Sequence, residues 1–304
     1  MCNKYMVLTG LNGTLRVIDL TLEDPTSNEA IVWTWTPTEE KGWKVPFKRL
    51  KYSIDDAKLR WSEYYQREVV LITSSWHWAG IADYATGECL WEWDVPNSPH
   101  SVDMLPNGDI VIAGSGRDDH QLEEGCLMYY SISKGEQCQM EDCYMFPRAH
   151  GAVWDPQNEV LWAVGMWELA AFTISPEGKL CRIENKGGLL PSDNGHDLSQ
   201  DYCDADLLMI SSSNVYKFSK SQNKFLTEYA YSDILYAHND VKGVSNYKDG
   251  TATYCIGTGV TTSYGTDTFY VIEPGEEPRS SVQKAYVFED FSFYKLRNFT
   301  KECQ

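Results

Sequence analysis

Four of the six histidines in the chain, His100, His150, His196 and His238, stand 50, 46 and 42 residues apart in a repeated local setting. Each precedes a short apolar run, a turn and a second apolar run. An imidazole titrates near neutrality, so four of them brought together would suit proton transfer, anion binding or metal ligation. Two Lys-Leu-Arg triplets, Lys58-Leu59-Arg60 and Lys295-Leu296-Arg297, stand where two further histidines would fall. Within each triplet the lysine and arginine are two apart and share one face of a strand. Lys58, Arg60, Lys295 and Arg297 are therefore expected beside the histidines, as contacts for an anionic substrate.

The elements that would position these groups are read from the repeat itself. PHSVDMLPNGDIVIAGS begins at Pro99 and AHGAVWDPQNEVLWAVG at Ala149. GHDLSQDYCDADLLMISS and AHNDVKGVSNYKDGTATYCIGTG repeat the shape around His196 and His238. Period-2 strands and turn residues follow each, the pattern of antiparallel meanders, and no stretch of a dozen residues has a helical period. Units of four short strands at this pitch stack radially as propeller blades. The expectation is an all-β, single-domain β-propeller spanning 1–304. It has six four-stranded blades: one composite, then units near 47–96, 97–147, 148–191, 192–232 and 233–290. The N-terminus supplies three strands (KYMVLTG, TLRVIDL, AIVWTWT), and the C-terminal FSFYKLRNF completes that blade and closes the ring without exposed edges. Seven blades would need strands that the first 50 residues do not supply.

In a propeller the innermost strands line the channel and their starts face one mouth. His100, His150, His196 and His238 are expected to converge there from four successive blades, with Lys58, Arg60, Lys295 and Arg297 from the other two. Three or four imidazoles would suit Zn²⁺ or Mn²⁺ better than Ca²⁺, with His150, His196 and His238 as ligands. A structural role stands beside this one, because a histidine repeated at blade starts can also tie strands together by hydrogen bonds.

Composition narrows the partners. The formal net charge is -18, from 44 acidic and 26 basic residues. Such a surface repels phosphate backbones, so no nucleic-acid partner is expected, and an anion would bind only where basic groups are gathered. No window of about 18 apolar residues is present, and no membrane span is expected. The beginning of the sequence lacks the pattern of a signal peptide. Nine cysteines without CxxC pairs read as free thiols, several of them in strands, as in a reducing cytoplasm. The pairs Trp33/Trp35, Trp76/Trp78 and Trp91/Trp93 are expected to pack between blades. There is no GxSxG elbow, no P-loop and no HExxH.

The segments from Pro99, from Ala149 and NGHDLSQDY resemble an uncharacterised bacterial and fungal propeller family with a histidine opening several blades, over about residues 47 to 260. In architecture and residue type the mouth is also similar to propeller polysaccharide lyases of the oligogalacturonate, ulvan and rhamnose–glucuronate types. That resemblance implies β-elimination on a short uronate oligosaccharide, a small anionic carbohydrate. Arg60, Arg297 or a bound cation would neutralise the carboxylate, one of His100, His150, His196 and His238 would take the C5 proton, and Tyr236 would protonate the leaving oxygen. Two other functions remain open: a non-catalytic propeller binding a small anion or a protein, and a metal-dependent hydrolase of the lactonase type.

Overall fold

The computed structural model describes residues 3–44, 53–116, 124–226, 228–235, 238, 240–259, 262, 264–274 and 282–301. It contains six four-stranded antiparallel sheets and almost no helix: an all-β, six-bladed propeller. Blade 1 is composite. Its innermost strand is Phe293–Asn298, followed outward by Tyr5–Gly10, Leu15–Asp19 and Ile31–Trp35. The pairing of Val7 with Arg297 and Leu8 with Leu296 is the expected closure. The other innermost strands are Asp56–Ser62, Pro99–Met104, Gly151–Asp155, Asp197–Gln200 and Val241–Asn246, in blades 2 to 6. Every expected unit contains one of these sheets. In blade 5 the outermost strand is short, Lys224–Leu226, and is followed by a four-residue helix, Ser232–Leu235.

Burial falls from axis to rim. Ile110–Gly114 and Val160–Val164 are buried at every residue, whereas the outermost strand Cys89–Asp94 is half-buried to exposed and Val282–Val287 largely open. Middle strands are covered on both faces because neighbouring blades pack sheet against sheet, so they read as continuous apolar runs. The core is accordingly six wedges, one at each junction between blades. Val7, Leu15 and Trp35 of blade 1 meet Leu59, Ile72 and Trp78 of blade 2. The ring closes where Phe269 and Val271 of blade 6 meet Met6, Leu8 and Leu296 of blade 1. Of the tryptophans expected between blades, Trp35 and Trp78 pack in the first wedge, joined by Trp43, and Trp33 and Trp91 lie against wedges, whereas Trp93 is exposed and Trp76 lines an axial cavity.

Short turns join innermost strands to their neighbours. In blade 3 the turn needs glycine: Gly108 has φ +87°, and a Cβ there would lie 2.6 Å from Tyr64 Cβ. No helix of the described residues is long and apolar enough to cross a membrane. All seven described cysteines are free, with Cys126, Cys138 and Cys255 buried and Cys181 and Cys203 exposed.

Candidate functional site

At the mouth where the innermost strands begin, three of the four histidines meet. The backbone N–H groups of His150 and His196 donate to Val164 O (2.9 Å) and Ser211 O (2.8 Å), extending each blade's ladder by one residue and fixing where the rings emerge. The rings form a stack: His100 and His150 have centroids 4.3 Å apart at 19°, and His150 and His196 4.9 Å apart at 28°. His150 Nδ1 lies 2.8 Å from Arg148 O, and His100 Nδ1 lies 3.1 Å from Asp55 Oδ1. His196 Nε2 is 2.9 Å from the Tyr294 hydroxyl, while its Nδ1 is buried without a hydrogen-bond partner among the described residues. A cavity of about 360 Å³ opens over the stack, and Trp76, Lys242 and Tyr264 complete its wall.

The electrostatics of this mouth follow from burial. Desolvation, then the neighbouring imidazole and the amines of Lys242 and Lys295, hold His150 and His196 well below the ordinary histidine range. Both are neutral at pH 7. Desolvation, then the Asp55 and Asp197 carboxylates, push the Tyr294 phenol well above its ordinary value, so it keeps its proton. Lys242 pairs with Asp240 at 2.5 Å.

His238 departs from the expected convergence. It lies three residues before its strand, beyond Asp240 in the left-handed region at φ 63°. Its Nε2 is 2.9 Å from the Tyr254 hydroxyl, and its ring stacks on Tyr270, so it sits over the second and third strands of blade 6. Blade 6 contributes Lys242 to the mouth instead. The expected metal set of His150, His196 and His238 is thus not brought together. Among the described residues no group of three or more His, Cys, Asp or Glu side chains is arranged to hold a metal ion. Tyr236 lies outside the described residues.

The Lys-Leu-Arg triplets depart further. Lys58 donates to Ser101 Oγ (3.0 Å), Val102 O (2.9 Å) and Ala152 O (2.6 Å), and sits 3.3 Å from Asp56. Lys295 donates to His196 O at 3.1 Å. Arg297 bridges Asp56 and Asp197 and is also 3.3 Å from Leu198 O. These five side chains are 0–5% exposed and form an ionic plug across the channel. Burial outweighs the Asp56 and Asp103 carboxylates at Lys58 and lowers its amine to about 8. Arg60 grips Asp103 through two hydrogen bonds of 2.7 and 3.0 Å and faces the opposite mouth. The physical reason is the rise of a strand, about 3.3 Å per residue. A triplet running along an innermost strand spans the channel's depth and does not gather at its rim.

Asp55, Trp76, Lys242, Tyr264 and Tyr294 of the histidine mouth were not signalled by the histidine repeat. Tyr294 carries the one available clue, since it is the second residue of the composite blade's innermost strand, directly before Lys295. At the far mouth a larger cavity, about 490 Å³, lies between hairpin turns and is lined by Arg60, Trp61, Trp154, Gln200, Tyr202 and Lys301.

Residues 16–258 match the sequence profile of a family described as a family of unknown function (DUF6528). No curated protein matches the chain. Among solved structures, a functionally unknown protein from Desulfotomaculum acetoxidans is 11% identical with a TM-score of 0.56, covering 94% of this chain and 80% of that one. A protein of unknown function from Bacteroides caccae is 13% identical with a TM-score of 0.59, covering 98% and 100%. The Cps50 (Swd1) β-propeller domain of Myceliophteria thermophila is 10% identical with a TM-score of 0.54, covering 94% and 85%. At these identities the likeness concerns the fold alone. Nothing in these findings supports the similarity to polysaccharide lyases.

Proposed function

The chain belongs to this family of unknown function, and from its histidine mouth we propose that it binds a small anionic ligand, a carboxylated sugar of the uronate type. One observation carries the reading: His100, His150 and His196 share a single axial cavity with Lys242, in a chain whose net charge is -18. The amine of Lys242, which also pairs with Asp240, offers N–H donors for a carboxylate to share, and the neutral imidazoles supply directional donors and acceptors. The Nδ1 of His196, buried and unpartnered among the described residues, is free to take a hydrogen bond from a ligand. Trp76 offers an apolar face for the sugar ring. The test is calorimetric titration with galacturonate and glucuronate oligomers. Binding that weakens by about ten- to a hundredfold in Lys242→Ala supports the reading, as expected for a charge-assisted hydrogen bond. Failure of these oligomers to bind, or equal binding by the variant, rejects it.

A second reading, β-elimination at the same site, is favoured by the 2.9 Å contact of His196 Nε2 with the Tyr294 hydroxyl. A neutral imidazole takes the C5 proton while the C4–O bond breaks. The Tyr294 phenol gives its proton to the leaving oxygen, and Lys242 balances charge on the carboxylate as the enolate develops. Ultraviolet absorbance of the new conjugated double bond reads the product. Ligand that binds without generating it leaves a binding protein.

A further inference from the structure

The far mouth is separated from the histidines by the ionic plug and differs from them in chemistry. Its larger cavity, about 490 Å³, is of a size that holds small organic ligands. Trp61 is 52% exposed in spite of its size, and its Nε1 donates to Glu63 at 3.1 Å. That bond anchors the edge of the indole, so the ring is presented with little freedom left to lose on binding. Trp154 adds a second, half-buried indole, held by its backbone N–H donating to Asp103 at 2.9 Å.

Both cations at this mouth are paired with carboxylates, and Glu63 adds a further carboxylate to its lining. Arg60 is matched by Asp103, and Lys301 by Glu68 at 2.5 Å. An anion entering here would have to break a pair beside the Glu63 carboxylate, whereas an uncharged ring would break none. Gln200 donates its amide nitrogen to Trp154 O at 2.6 Å, which fixes the amide between the wall and the smaller recess beneath it. Apolar ring faces beside oriented polar edges suit a molecule with the same division: a sugar with C–H groups on its face and hydroxyls at its rim.

We infer that the far mouth is a second ligand site, which takes an uncharged sugar ring against Trp61 and Trp154. This site is independent of the uronate reading, because none of its lining residues belongs to the histidine mouth.

The experiment is indole N–H NMR of the full chain titrated with cellobiose, lactose, maltose and xylobiose, alongside sodium glucuronate. At least one neutral disaccharide should shift the Trp61 signal saturably, with an affinity on the order of millimolar. Trp61→Ala, an exposed substitution compatible with folding, should lower that disaccharide's affinity at least tenfold, read on the Trp154 signal. His196→Ala should leave the affinity unchanged. Absence of a saturable shift with all four disaccharides overturns the inference, as does undiminished affinity in Trp61→Ala. Stronger displacement of the Trp61 signal by glucuronate than by any neutral sugar also overturns it, since the charge balance would then be irrelevant. Loss of uronate binding at the other mouth leaves these outcomes intact, so the two readings fail separately.

Discussion

The two mouths of the channel are made by the same six innermost strands, yet they share almost no chemistry. One gathers three imidazoles, an amine and a phenol around connections between blades. The other sets two indoles among hairpin turns, with Arg60 and Lys301 paired to carboxylates and Glu63 beside Trp61. Between them Asp56, Asp197, Lys58, Lys295 and Arg297 fill the axis. The contrast teaches that position along an innermost strand, and not membership of a repeat, decides what a residue does. His196 faces a cavity. Its neighbour Asp197, one residue on, is wholly buried in the plug.

The most severe way to break the contrast is to open the plug. Asp197→Ala removes the carboxylate nearest Lys295 and one of the two that hold Arg297, and losing one member of a buried ionic set costs about 3–5 kcal/mol. Denaturant unfolding should show that loss. A cost within 1 kcal/mol, by the same scale, would mean that the plug is not what separates the mouths.

Acid is the next lever, and it acts on the histidine side. His150 and His196 bind protons less readily when folded, so the unfolded chain takes up more protons once pH drops below about 6.5. Stability should therefore be flat with respect to these groups above that pH. Below it, each should cost up to about 1.4 kcal/mol per pH unit until the folded ring itself protonates. Denaturant midpoints of the parent and a His150→Gln, His196→Gln double variant, compared from pH 7 down to 5, check this. A slope unchanged by the double variant would assign the pH dependence to the carboxylates.

Smaller still is the stability effect expected at the far mouth. Trp61→Ala should stay within about 0.5 kcal/mol of the parent, because its indole is largely open to solvent. A larger loss would make Trp61 part of the packing and weaken its assignment to a ligand.

The blades were legible because a wedge core imposes a strict pattern: continuous apolar runs such as Val160–Val164 between turns that cannot be helical. Histidine placement was legible for His100, His150 and His196, which lie at or directly before their strands. It failed for His238, because two residues, one of them the left-handed Asp240, separate the ring from the start of Val241–Asn246. The Lys-Leu-Arg triplets misled for a related reason. They resemble one another, and likeness does not reveal depth in a channel where one step of a strand is about 3.3 Å. Lys242 could not be weighted from sequence, since nothing marks it among the chain's lysines until His238 vacates its place.

Closure by Phe293–Asn298 has a consequence for the order of assembly on the ribosome. This strand is the last of the ring to be translated, and it lies innermost in a blade whose other three strands are made first. It brings Tyr294, Lys295 and Arg297 together. Until it emerges, Asp56 and Asp197 lack Arg297, and His196 lacks its phenol. A nascent chain released before this point would have five complete blades and three strands of the composite one, and neither a neutralised axis nor a finished mouth. Completion of the ring and completion of the site are therefore one event in the life of the polypeptide.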